Sequence, residues 1–288
     1  MYSPAEIAKR YDKAGAKKTE LSSSKMFVLA MFAGVFIALG AFGSQVAGAS
    51  IESASLSKFL SALVFPVGLL MVIMAGAELF TGNSLLIIPV LNKDAAFGGL
   101  LRNWIIVYIG NLVGSILIAA LLTYSHSYNL FDKKLADLAV NTAVSKVALS
   151  FSDAFLRGIL CNILVCIAVW ISFSAEDAAG KIIGLYLPIV LFVISGYEHC
   201  VANMYFIPAG ILASHEYGFA TDGLTWKSFL VNNLLPVTLG NIVGGACIVG
   251  IGYFFVYLYH EGVDNESEDI KDGVEGKGNV HKLKRKVN

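Results

Sequence analysis

The 288-residue chain is short of charge, proline and cysteine, and each shortage narrows its class. Charged residues make up 15% of it, against ~25% in an ordinary soluble domain. Lys and Arg balance Asp and Glu at 21 each, so no excess of positive charge is present to attract nucleic acid. The four cysteines, Cys161, Cys166, Cys200 and Cys247, sit in apolar segments at spacings that match no zinc, haem or redox motif. They are expected to be small buried hydrophobes. His-Glu-x-x-His, Gly-x-Gly-Asp and a second intramembrane histidine are all missing, which argues against an intramembrane metalloenzyme; no metal, no cofactor and no catalytic residue is expected. The first 25 residues carry six Lys or Arg and no apolar stretch of the kind a cleavable signal needs, so the first hydrophobic span must serve for insertion.

What fills the chain instead is hydrophobic sequence: 56% of the residues, with a mean hydropathy of +0.69. A membrane-crossing helix needs ~20 apolar residues. Six candidates meet this: Met26 to Gly48, Phe59 to Leu91, Leu101 to Tyr124, Phe151 to Ser174, Lys181 to Ser214 and Phe229 to Tyr259. The second and fifth are over-long and are interrupted by the same pattern, Gly-x-Glu-x-x-x-x-Asn, at Gly76-Ala77-Glu78 to Asn83 and at Gly196-Tyr197-Glu198 to Asn203. Pro66 and Pro89 bracket the first interruption, as Pro188 and Pro208 bracket the second. A buried proline frees backbone groups that must find other partners, so both segments read as broken helices.

A second match follows each break. Asn103 to Gly114 and Asn233 to Gly244 share N-x6-G-N-(L/I)-V-G, at an offset of 130 residues where the breaks are offset by 120. Three spans per half, the middle one broken, make an inverted repeat, because an odd number of crossings sends the second copy in from the opposite side. The expected class is therefore an all-α integral membrane protein with a 3+3 inverted repeat. Its expected divisions are an amino-terminal tail with a short amphipathic helix (1–25), a first repeat (26–124), a loop (125–150), a second repeat (151–259) and a disordered charged tail (260–288).

Ser3-Pro4-Ala5-Glu6 has the form of a capping box, and Ile7, Ala8, Tyr11 and Ala14 follow at helical spacing. If both termini are cytoplasmic, that side holds 15 Lys or Arg: six in each tail plus Lys93, Arg102 and Lys181. The other side holds six: Lys58, Lys133, Lys134, Lys146, Arg157 and Lys227. That bias is the one expected for an inside amino terminus.

Five collinear segments together resemble the formate/nitrite transporter family, in its formate-channel branch. They are Ala77 to Asn83, Asn103-Trp104 with Gly110 to Gly114, Asn162 with Val165, Gly196 to His199 with Ala202-Asn203-Met204, and Pro236-Val237-Thr238 with Gly240-Asn241. The resemblance implies an aquaporin-like six-helix protomer, a homopentamer with one pore per protomer, and small monovalent anions as substrates in a bacterial cytoplasmic membrane. It also implies roles for particular residues. Phe65 and Phe192 would form an outer constriction, and Leu69 and Phe80 would narrow the pore beside His199. Thr81, Asn162 and Asn241 would be polar positions along it with Val165 alongside, and Lys146 would attract anions from a loop. Formate is the expected substrate, with nitrite, hydrosulfide, acetate and lactate as alternatives. A neutral-solute channel is the rival of the same architecture, but its Asn-Pro-Ala half-helices are absent.

The residues supply a chemical motive for His199. A small carboxylate with a pKa near ~3.9 is neutral in about one molecule per thousand at pH 7. Apolar constrictions penalise the ion heavily. An imidazole between them, with a pKa in the physiological range, can offer a hydrogen bond or a proton. Glu78 and Glu198 would repel an anion if they faced it, so they are expected to accept hydrogen bonds from backbone N–H groups freed at the breaks, with Asn83 and Asn203 in similar roles and Glu198 able to orient His199.

Overall fold

A computed structural model describes residues 1–259. The charged tail from His260 lies outside the described residues. Within them the chain is helical, in an order that shows the repeat: α1 (Pro4–Glu20), α2 (Ser23–Gly48), α3 (Ala54–Ala75), α4 (Gly82–Leu91), α5 (Phe97–Tyr124), α6 (Lys134–Val147), α7 (Phe151–Ser172), α8 (Ala178–Ile194), α9 (Cys200–Tyr217) and α10 (Trp226–Tyr257). Five of these, α2, α3, α5, α7 and α10, are long and apolar enough to cross a bilayer by themselves. The two interrupted spans are the pairs α3/α4 and α8/α9. Each helix before a break ends at a glycine in left-handed conformation, Gly76 (φ 79°) and Gly196 (φ 70°), a geometry that a side chain resists.

Glycine also sets how closely the flanking spans approach. A Cβ at Gly114 on α5 would overlap the Met31 carbonyl oxygen of α2, and one at Gly244 on α10 would overlap that of Ile159 on α7. Such small-residue contact substitutes for the hydrophobic force that is missing between helices in lipid. On the outer face of α5, Leu101, Ile105, Ile109, Val113, Leu117 and Leu121 recur every fourth residue and are all exposed. An uninterrupted apolar stripe of this kind suits a bilayer or a neighbouring subunit.

Two stretches depart from the sequence reading. Residues 125–150, expected to be a loop, contain α6, whose buried face is Leu135, Ala136, Ala139, Val140, Ala143 and Val147. Five of those six residues are alanine or valine and the helix spans about four turns, so the segment lacks the run of large apolar residues that marked the other helices. In α1, where Ser3 and Glu6 form the capping box, the buried face is Ile7, Ala8, Tyr11, Asp12, Gly15 and Thr19, with Ala14 only half-buried. The two faces superimpose: each α6 position lies 128 residues beyond its α1 counterpart, from Ile7 and Leu135 to Thr19 and Val147. The repeated unit is thus an amphipathic helix followed by three spans. Arg102 on α5 ties down the end of α1 by donating to the carbonyl oxygens of Thr19 and Leu21, each at 2.8 Å.

Among the cysteines, Cys161, Cys166 and Cys200 are buried and Cys247 is exposed, because its position on α10 faces outward from the chain. His215 lies in the last turn of α9, which runs on to Tyr217.

Candidate permeation pathway

Breaking a helix leaves N–H groups without carbonyl partners, and in a membrane interior water cannot stand in. The second motif of each repeat solves this. Asn111 accepts from the Phe80 N–H (2.9 Å) and donates to the carbonyls of Ala30 (2.8 Å) and Glu78 (2.9 Å). Asn241 does the same at the second break, accepting from the Cys200 N–H (2.9 Å) and donating to Gly158 (2.8 Å) and Glu198 (3.0 Å). One buried amide thus clamps three segments in each half.

The carboxylates have other partners than those expected. Glu78 accepts from the Asn83 amide (2.7 Å) and pairs with Lys18 of α1 (3.1 Å); Glu198 accepts from Asn203 (2.6 Å) and pairs with Lys146 of α6 (2.8 Å). Asn83 and Asn203 are held in turn by Asn103 and Asn233. The physical reason is charge: neutral asparagines suffice for freed N–H groups, whereas a buried carboxylate needs a cation. Lys146 lies at the end of α6 rather than in a loop, and Lys18, 128 residues earlier, is its counterpart in α1. Sequence reading missed Lys18. Two glutamates at membrane depth each requiring a counter-ion, with a lysine on the amphipathic segment before each repeat, was the available signal.

Two separate cavities adjoin this arrangement, one beside α6 and one beside α1. On the α6 side, about 330 Å³ is lined by Lys58, Lys146, Phe65, Phe192, Phe206 and His199, among others. On the α1 side, about 630 Å³ is lined by Arg10, Lys13, Lys17, Lys18 and Lys181 together with Leu69, Glu78 and Asn83. Phe65 and Phe192 meet edge to face with ring centres 5.5 Å apart, and Phe192 stacks on His199 at 5.9 Å.

His199 is the N-cap of α9. Its Nδ1 accepts from the Ala202 N–H (3.0 Å), so the proton of the neutral ring sits on Nε2. Nε2 lies 2.9 Å from Thr81 Oγ1 and donates to it. The threonine oxygen is therefore an acceptor in this pair, and its own proton is free to be donated elsewhere.

The remaining predicted positions separate. Leu69 lines the α1-side cavity and Phe65, Phe192, His199 and Lys146 the α6-side one. Phe80, Thr81, Asn162, Val165 and Asn241 line neither. Phe80 is buried against the rings of Tyr108 (4.9 Å) and Trp104 (6.1 Å), and Val165 lies in the core. The Asn162 amide donates to the carbonyls of Thr81 (3.3 Å) and Asn241 (2.6 Å) and to Ser84 Oγ (3.1 Å), so it secures the backbone at the first break.

The model of the formate/nitrite transporter family matches residues 5–255 of the chain. The chain belongs to that family. This formate/nitrite transporter is 39% identical over 274 residues to the probable formate transporter of Methanothermobacter thermautotrophicus, covering 89% of this chain and 97% of that protein. It is 36% identical over 268 residues to the formate channel FocA of Escherichia coli (strain K12), covering 88% and 94% respectively. Among solved structures it is similar to a pentameric formate channel with formate bound (36% identity, TM-score 0.73, covering 82% of this chain and 98% of that one). It is similar too to an FNT family ion channel (27% identity, TM-score 0.78, covering 87% and 98%). The family transporter is thus an integral membrane protein of the anion-channel class.

Proposed function

We propose that this family member conducts formate, as a homopentamer with a separate pore in each six-span protomer, across a bacterial cytoplasmic membrane with both termini inside. Nitrite, hydrosulfide, acetate and lactate are the other anions its pore would accept. One observation supports the reading most: an N–H donor of known direction, His199 Nε2, stands beside a hydroxyl with a free proton, His199 lines one of two cavities, and a lysine in the wall of each cavity is paired with a glutamate.

The chemistry follows from those positions. Lysines in each cavity raise the local concentration of anions. Past the Phe65–Phe192 pair the anion loses water, a costly step in a low-dielectric passage. Thr81 Oγ–H, its oxygen already accepting from His199 Nε2–H, replaces part of the lost hydration. At neutral pH the substrate passes as an ion with this hydrogen bond. Adding a proton to Nδ1 displaces the Ala202 N–H and gives up an N-cap worth ~1 kcal/mol. Proton transfer to the anion is therefore a feature of acid pH.

Uptake of each candidate anion into proteoliposomes, measured over a pH series for the native chain and His199→Phe, tests this. Formate flux at the level of protein-free liposomes is expected for the variant. Native rates and native pH dependence in His199→Phe would overturn the mechanism, and swelling in glycerol without formate uptake would overturn the substrate class.

A further inference from the structure

Gln45 lies on α2 three residues from its end, 5% exposed, and is the one uncharged polar side chain at the α6-side cavity with a buried donor atom left over. Its Oε1 accepts from the Tyr205 hydroxyl at 3.2 Å, and the Tyr205 oxygen lies 2.7 Å from that of Tyr128. A phenol has one proton, so once Tyr205 donates to Gln45 the order is set: Tyr128 donates to Tyr205 and Tyr205 to Gln45. Both tyrosines are fully buried and Phe42 packs edge-on against Tyr128, which holds the chain in place. The amide is thereby oriented with its oxygen toward the protein. Among the described residues its Nε2 has no hydrogen-bond partner, a costly state for a buried donor unless something occupies it.

The charges around that donor are unbalanced. Lys58 and Lys146 are the two charged residues lining the cavity, and Lys146 is already paired with Glu198. Lys58 leaves one positive charge in excess. It lies seven residues before Phe65 on α3, about 10 Å along a helix at ~1.5 Å per residue. The α1-side cavity is different: five Lys or Arg against Glu78 form a broad basic funnel.

Resting on the anion-channel reading above, we propose that Gln45 Nε2 and Lys58 form a binding subsite for one monovalent oxyanion, a small carboxylate in the first place, in the α6-side vestibule outside the Phe65–Phe192 constriction. The amide's two N–H groups donate to the carboxylate oxygens, and the single unpaired ammonium matches a single negative charge. The subsite loads the pore from the α6 side and favours oxyanions over halide of equal charge, since the fixed amide donor rewards a directional acceptor. The α1 side has no such donor and attracts anions by charge alone.

The test is initial-rate formate flux in proteoliposomes of one defined orientation, with formate added on the α6 side and then on the α1 side. Gln45→Leu is expected to raise the half-saturating formate concentration on the α6 side about tenfold, the loss of one hydrogen bond to a charged group, with the maximal rate and the α1-side value unchanged. Gln45→Glu, which cancels the excess charge, raises it further. Tyr205→Phe, which only releases the amide, raises it less. Lys58→Met, a change at the cavity wall, serves should the Gln45 variants fail to assemble, and is expected to raise the same value. Assembled Gln45→Leu or Lys58→Met channels with native half-saturation on the α6 side would overturn the subsite while leaving the channel reading intact. Absence of formate flux in the native protein would overturn both.

Discussion

At the first break Glu78 is followed by Leu79; at the second, Glu198 is followed by His199. Almost everything around those two positions is duplicated. Each break has a left-handed glycine, a carboxylate held by an asparagine and a lysine, and a clamping asparagine from the last span of the repeat. What differs is one side chain and what it starts. Leu79 leads into a short segment that opens as a 3-10 turn, Gly82–Leu86, while His199 caps the 18-residue α9. The scaffold is two-fold and the chemistry is one-sided.

The largest expected effect comes from removing that asymmetry. His199→Leu makes the second break resemble the first, and anion flux should fall to background while the protein loses only an N-cap, about 1 kcal/mol. Flux measurements paired with thermal unfolding in detergent distinguish a lost conductor from a lost fold. Next, the clamps: Asn241→Leu or Asn111→Leu each strands three buried backbone groups, and a loss of about 3 kcal/mol or more is expected for either. Unequal losses would show that the halves do not contribute equally to stability.

A smaller effect, and one that sharpens the comparison, concerns the ion pairs. Lys146 is 16% exposed and Lys18 31%, so water screens the second pair more. Glu198→Gln is expected to cost about 3 kcal/mol, at the low end for a buried pair, and Glu78→Gln about 1 kcal/mol. Equal shifts in unfolding would contradict this.

The smallest effect tests how α1 is held. Asp12 is pushed up to about 7 from an ordinary carboxylate value, by burial first and then by its hydrogen bond with Asp94, while Asn92 and Lys13 pull it down. Docked α1 therefore holds more protons than undocked α1 between about pH 4 and 7, so docking weakens as pH rises through that window and levels off above it. Hydrogen-exchange protection in residues 4–20, taken relative to the intrinsic rate at each pH, should fall from pH 5 to pH 8 in the native chain and stay constant in Asp12→Asn. A pH-independent profile in the native protein would remove this account.

Much of the site was readable before any coordinates. Gly76 and Gly196 mark the breaks because the backbone there takes a positive φ, and the paired Asn-x6-Gly-Asn segments mark the repeat, while the clamping role of Asn111 and Asn241 came only with packing. Other features were not readable. The α1–α6 equivalence is hidden because a helix that buries Ala, Gly and Thr beside its larger residues has no strong periodic signal. Phe80, Asn162 and Asn241 belong to the family motif, but the partners they take, Tyr108 and Trp104 for Phe80 and the backbone at the breaks for the two asparagines, were set by packing.

The sequence by itself determined that this chain enters a bilayer, where its helices break, and that its two halves match, because hydropathy, glycine and proline act through each residue's own backbone and solvation. Tertiary structure alone decided which lysine meets which glutamate, which hydroxyl the His199 ring meets, and where the Gln45 amide points. Those outcomes depend on partners between 52 and 160 positions away along the chain, such as Lys146 with Glu198 and Gln45 with Tyr205. No local property records a contact that exists only once the helices have packed.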